Sequence, residues 1–172
     1  MLSGRLSDSL ITRPATRRQE RFMREALAEA RRCMSAGDVP VGAVAVVGEE
    51  IVARGRNRRE ELNDPTAHAE VSALREAGLH LGSWRLNDVT LFCTLEPCAM
   101  CAGAMIQSRL GTLVFGAYDQ KAGAAGSVID LFEGPDWNHQ VGRRGGVLIV
   151  ECEELLSGFF ADKRQSAWAE EA

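Results

Sequence analysis

The chain has 172 residues, 45% of them apolar and 26% charged, with a formal net charge of −4. That length suits one domain able to bury roughly two-thirds of its unfolded surface, and the balance of apolar to charged residues excludes wholesale disorder. No apolar run approaches the roughly 18 residues of a membrane span, and the net acidity withholds the usual sign of a nucleic-acid binder, a strongly basic domain.

Five cysteines, an odd number, argue for metal binding or burial over a disulfide scaffold. Residues 1–15 lack the apolar core of a signal peptide and read as a flexible arm on a cytoplasmic protein. One domain over 16–168 and a tail over 169–172 complete the expected organisation.

In chain order, Phe22, Met23, Ala26, Leu27, Ala30, Cys33 and Met34 recur at helical spacing. Thr16 with Gln19 forms a capping box for this first helix, and Gly37 is its stop. Gly42 to Val47 and Ile51 to Arg56 read as strands joined by a tight turn at Gly48-Glu49-Glu50. Asp64-Pro65 signals a helix running to about Gly78. Val89 to Leu95 is a third strand, and Glu96-Pro97 opens a helix that ends by Gly111. Thr112 to Ala117 is a fourth strand, Val147 to Val150 a fifth, and Glu151 to about Ala167 the last helix. Strands alternating with helices predict a layered α/β domain, parallel around strands three to five.

Two short motifs carry the chemistry: His68-Ala69-Glu70, and Pro97-Cys98-Ala99-Met100-Cys101. Cys98 and Cys101 are three apart, so on a helix their sulfurs share a face and can grip one ion. His68 supplies a third ligand. Two thiolates, an imidazole and an open position describe a catalytic zinc site, since closed structural sites use four protein ligands. Both cysteines fall at a helix start, where the dipole favours thiolate. Zinc lowers the pKa of water from 15.7 towards ~7, and Glu70 is the expected proton shuttle between water and substrate. Cys33 and Cys93 read as buried small hydrophobes. Cys152 and His139 have no ligand-spaced partner, and His80 reads as a surface residue.

Together the motifs make H-x-E…P-C-x-x-C, the signature of zinc nucleobase deaminases. The runs Val39-Pro40-Val41-Gly42-Ala43-Val44, Asp64 to Glu70, Thr94 to Ile106 and Lys121-Ala122-Gly123-Ala124-Ala125-Gly126-Ser127 extend the likeness. From about Phe22 to Arg164 the chain resembles the bacterial tRNA adenosine deaminases, within the cytidine-deaminase-like zinc hydrolases. The resemblance implies a three-layer α/β fold, a five-stranded mixed sheet flanked by helices. It implies one zinc per chain on His68, Cys98 and Cys101, with Glu70 catalytic. It implies hydrolysis of the wobble adenosine of a tRNA anticodon stem-loop to inosine, by a homodimer. It also implies that Asn57 contacts the target nucleoside, that Asp119 lies near its sugar, and that Phe159 and Phe160 approach the anticodon loop or pack. Tyr118, the segment Arg58 to Leu62 and Glu133-Gly134 depart from the family's usual pattern, near where RNA would bind. The Arg54, Arg56, Arg58 and Arg59 cluster is a candidate phosphate surface. Two rival readings use the same ligands: a deaminase of a free base or nucleoside, and a non-catalytic zinc-stabilised RNA-binding subunit. The second typically loses the catalytic Glu, and Glu70 is present.

Overall fold

The computed structural model describes residues 14–134 and 137–170. Residues 1–13 of the expected arm and 171–172 of the expected tail lie outside them. Helix α1 is Arg17–Arg31, and Thr16 caps it as the sequence implies: its hydroxyl accepts from the Gln19 amide, and Gln19 Oε1 accepts from the Thr16 amide. A 3-10 turn, Met34–Ala36, follows and ends on Gly37 at φ 74°. Strands β1 (Gly42–Val47) and β2 (Glu50–Arg56) form an antiparallel hairpin. Next come α2 (Arg59–Leu62), α3 (Ala69–Leu81), β3 (Thr90–Leu95), α4 (Ala99–Gln107), β4 (Thr112–Ala117), β5 (Gly142–Arg144) and α5 (Ile149–Glu170).

The five strands make one mixed sheet in the order β2-β1-β3-β4-β5. β1 pairs antiparallel with β2 and β3, and β3, β4 and β5 run parallel. Alternation along the strands sends side chains to two cores. Ala43, Ala45, Leu91, Cys93, Leu113 and Phe115 face Ala73, Ala77, Ala102 and Met105 of α3 and α4. Val44, Val46, Phe92 and Val114 face Phe22, Met23, Ala26 and Leu27 of α1, with Cys152 of α5 beside them. The sheet is thus the middle of three layers, as expected. Small residues set the spacing where α3 crosses β2: a Cβ on Gly55 would stand 2.2 Å from the Ala69 carbonyl oxygen. That close approach fixes the start of α3 against the sheet. Among the described residues no helix is long and apolar enough to cross a membrane.

Three expected boundaries move. Val147 to Val150 is not the fifth strand. Val147 is buried, but Gly146 (φ 80°) and Leu148 (φ 51°) take left-handed backbone, which an extended run cannot, and α5 has begun by Ile149. The pairing edge is taken by Gly142–Arg144 instead. Asp64-Pro65 does not open α3: the Asp64 carboxylate accepts from both the amide and hydroxyl of Thr66, a local turn that competes with helix. Glu96-Pro97 does not open α4 either, because Glu96 N donates to the Ala117 carbonyl and so continues the β3 edge.

Candidate metal centre and active site

The shifted helix starts place the motifs. His68 is the N-cap residue of α3 and Cys98 the N-cap residue of α4, both in extended backbone just before the first turn. Neither side chain caps its own helix, so both are free to turn to a common point. His68 Nδ1 stands 3.7 Å from Cys98 Sγ and 3.5 Å from Cys101 Sγ, and the sulfurs are 3.7 Å apart. Zn–S bonds of ~2.3 Å and Zn–N bonds of ~2.0–2.1 Å at tetrahedral angles require S···S of roughly 3.8 Å and S···N of roughly 3.6 Å. The triangle fits zinc on geometry as well as on donor chemistry, and it is the one such group among the described residues.

The electrostatics agree. The hydrogen bond with Cys101, together with that from His68, holds the Cys98 thiol down to about 3, and the same sulfur contact with burial pushes Cys101 far up. His68 is pushed up, chiefly by its bond to Cys98. Glu70, in the first turn of α3, is 4% exposed, and burial pushes its carboxyl up to about 6. A carboxylate in that range can both take and return a proton near neutral pH.

A cavity of about 230 Å³ opens beside this triangle, lined by Asn57, Arg59, His68, Glu70, Cys98 and Asp119 among others. The structure thus brings together all six residues singled out in the sequence as site candidates. Asn57 Nδ2 donates to the Val39 carbonyl at 3.1 Å, and its Oδ1 is buried without a partner. Asp119 Oδ1 accepts from the amides of Lys121 and Ala122, shaping the loop that follows β4.

Sequence reasoning missed Glu96 and Asp38. Glu96 is 2% exposed. Its carboxylate accepts from the amides of Asp119, Ala125 and Ser127 at 2.9–3.1 Å, and from the Ser127 hydroxyl. A Cβ on Gly123 would stand 2.5 Å from that carboxylate, so the loop folds tightly around it. The signal in the sequence is a Glu directly before the Pro97-Cys98 motif, a position that a helix start also explains. Asp38 accepts from the amides of Glu60 and Glu61 and so anchors α2.

The remaining expectations sort by burial. Cys33, Cys93 and Cys152 are buried, His80 is exposed, and His139 contacts the Leu110 carbonyl at 2.6 Å. Phe159 is buried and Phe160 exposed, stacked edge-on at 5.4 Å. Tyr118 packs edge-on against Phe115. Of the arginine cluster, Arg54 pairs with Glu25 and Glu29, and Arg56 and Arg58 both pair with Glu61. These three are spoken for by glutamates.

A layered α/β domain that gathers a metal-ligating His-Cys-Cys triangle at two helix N-termini, with a buried carboxylate alongside, has the parts of a metal-dependent hydrolase. Residues 16–117 match the family described as the cytidine and deoxycytidylate deaminase zinc-binding region, and the chain belongs to that family. A tRNA-specific adenosine deaminase of Bacillus subtilis (strain 168) is 46% identical over 146 residues, covering 85% of this chain and 91% of that protein. A structure from work on A-to-I editing by tRNA:A34 deaminases at the wobble position of transfer RNA superposes with a TM-score of 0.76 at 43% identity, covering 79% of this chain and 99% of that one. A guanine deaminase from Bacillus subtilis has a TM-score of 0.57 at 35% identity, covering 84% and 93%.

Proposed function

We propose that this chain is a zinc-dependent hydrolase that converts the wobble adenosine of a tRNA anticodon to inosine and releases ammonia. The observation that carries it is the buried Glu70 beside the His68, Cys98 and Cys101 triangle. It occurs in a chain closer to tRNA adenosine deaminases than to the guanine deaminase, in both identity and superposition.

His68, Cys98 and Cys101 would hold one zinc ion per chain. When bound, zinc supplies the positive charge that makes a water acidic near neutral pH. Asn57 receives the nucleoside: with Nδ2 engaged by Val39, its free Oδ1 is an acceptor for a hydroxyl or amine of the substrate. The cavity, below the ~300–1,000 Å³ of drug-sized sites, suits one extruded base. Glu70 takes a proton from the attacking water and passes it to the N1 ring nitrogen of adenine, drawing electron density from C6. The water oxygen bonds to C6; Glu70 then takes the remaining proton from that hydroxyl and delivers it to the amine, so that the C6–N bond breaks, ammonia leaves and C6 becomes the carbonyl of inosine. One carboxylate thus acts as base and then acid, which contributes on the order of 10²–10⁴ in rate.

The reading includes a cytoplasmic homodimer. An apolar groove of about 1,060 Å³ runs between α3 and α4, with Leu79 at its edge 76% exposed and Trp84 57% exposed. A second copy of this chain is the occupant proposed, because the two helices forming the groove are those that begin at His68 and Cys98. Covering them would stiffen the metal centre.

The test is to offer an anticodon stem-loop, free adenosine, guanine and cytosine to the purified protein and to follow ammonia and inosine. Faster turnover of the stem-loop supports the reading. Preference for guanine or cytosine replaces it with the small-molecule deaminase, the second reading that the net charge of −4 favours.

A further inference from the structure

We infer that Arg59 binds the RNA phosphate adjoining the target nucleoside, and that Asp38 is a positioning residue that holds Arg59 at the cavity rim. The inference rests on the proposed tRNA reading and goes beyond it in naming the contact. In the sequence, four arginines between 54 and 59 look equivalent. Folding separates them. Arg54, Arg56 and Arg58 each meet a glutamate, whereas among the described residues Arg59 has no carboxylate within ion-pair distance. Arg59 is also the one of the four that lines the cavity with Asn57, His68 and Asp119.

The backbone under Arg59 is unusually well fixed. α2 is a single turn, far too short to be stable by itself. It is held by Asp38, 1% exposed, whose two carboxylate oxygens accept from Glu60 N at 2.9 Å and Glu61 N at 3.1 Å. Arg58 N donates to the Ala67 carbonyl, tying the same turn to the segment that leads into His68. Burying a carboxylate is costly unless its oxygens are satisfied. Here the satisfied carboxylate yields one thing: a fixed turn with a guanidinium at the mouth of the site.

The size of the cavity says what that guanidinium meets. A pocket of about 230 Å³ admits a base and leaves the sugar and its phosphates at the rim. A guanidinium is always charged, and its planar fork matches two phosphate oxygens. From the other lining segment, the loop after β4, Lys121 likewise has no ion-pair partner among the described residues. A net-acidic protein can therefore offer a polyanion two cations at this rim that no carboxylate of the described residues has claimed.

The experiment measures kcat and KM on an anticodon stem-loop across a salt series, with zinc content, for the parent, R59A, R59K, R58A, D38N and the R59A/D38N double variant. R59A should raise KM about tenfold or more, as expected for a bond to a charged group, with kcat within about threefold. Its log KM against log salt slope should flatten by ~0.7, one phosphate contact. R59K should keep the parent slope with a raised KM, since the charge persists and the fork is lost. R58A should stay within about twofold with the parent slope. D38N should raise KM and flatten the slope, and the double variant should add nothing to R59A because both act through one contact. A parent slope and KM in R59A, or a flattened slope in R59K, overturns the phosphate assignment. Full additivity of D38N with R59A overturns the positioning role. A parent that leaves the stem-loop unreacted overturns the tRNA reading itself, and with it this inference, before any variant is compared.

Discussion

His68 Nδ1 and Cys98 Sγ stand 3.7 Å apart, and each belongs to the N-cap residue of its helix. Two helix N-termini therefore converge on one point, from opposite ends of sequence segments thirty residues apart. The positive ends of both dipoles favour thiolate over thiol at Cys98 and Cys101. Positive helix ends and anionic ligands meet there, and a dication would complete the charge balance.

The first prediction follows from that triangle. Purified parent protein should carry one zinc per chain by elemental analysis, and Cys98→Ala should carry less than about a tenth of that. Metal binding is coupled to folding, so the variant and chelator-treated parent should both melt at lower temperature. Full occupancy in Cys98→Ala would remove Cys98 from the ligand set.

Glu70→Gln keeps the size of the side chain and removes its proton-transfer capacity. The amide should leave zinc content and RNA affinity near the parent values, while kcat falls by ~10²–10⁴. Single-turnover kinetics on the stem-loop measure this directly. Turnover within tenfold of the parent would mean another group moves the proton, and loss of zinc would mean Glu70 is a ligand.

The sequence made the sheet faces, the first helix and the metal motif legible, because each rests on local rules: period two, period 3.6 and ligand spacing. The Thr16 capping box is local and it formed. The fifth strand was misread for a physical reason. Val147 to Val150 is apolar and, Leu148 apart, β-branched, but the left-handed Leu148 lets Val147 bury itself from a loop, and burial is all that an apolar run reports. Helix starts slipped by two to four residues because Asp64 and Glu96 spend their hydrogen bonds elsewhere, Asp64 on Thr66 and Glu96 on a loop about thirty residues on. The Asp64 turn is a local rival to the helix start, and the long-range bonds of Glu96 leave no periodic trace. The arginine cluster misled in the same way, since its glutamate partners sit on α1 and α2.

Asn57 gives a third prediction. Its Nδ2 is fixed by the Val39 carbonyl, so the buried Oδ1 is the group left for substrate. Asn57→Ala should raise the barrier in kcat/KM on the stem-loop by about 1–3 kcal/mol, roughly 5- to 150-fold, because it leaves a donor of the bound substrate unpaired. Asn57→Asp keeps an acceptor but brings charge and loses the bond to Val39, so it should do no better. Unchanged kcat/KM in both variants would take Asn57 out of substrate binding.

Glu96 tests whether the loop after β4 is built on one carboxylate. Three amides and a hydroxyl donate to it, so Glu96→Gln turns one acceptor into a donor facing donors, and Glu96→Ala removes both oxygens. Leaving buried donors unsatisfied costs about 1–3 kcal/mol each. Even one such loss should lower Tm by about 2–10 °C in a chain of this size. Activity should fall too, because the loop carries Asp119 into the cavity. Calorimetry showing both variants as stable as the parent would mean that water or rearrangement replaces these bonds.

The final prediction concerns the groove between α3 and α4. Exposed apolar residues occurring singly are ordinary on protein surfaces, but Leu79 and Trp84 border one continuous groove with Val71, Leu74 and Ala104. If a second copy covers it, sedimentation should give twice the chain mass of 18.7 kDa. Leu79→Glu should shift that to the single-chain mass at micromolar concentration, since an unpaired charge inside an apolar interface is strongly unfavourable. The same change on a monomer would sit on an exposed helix face and alter stability by less than about 0.5 kcal/mol. Zinc content separates a lost dimer from a lost fold: the monomerised variant should still bind metal, because the His68, Cys98 and Cys101 triangle is complete within one chain. Its turnover should nevertheless drop, as the helices that begin at His68 and Cys98 lose the surface that stiffens them. A parent that sediments as a single chain at all concentrations, with normal stem-loop turnover, would assign the groove to something other than a second copy.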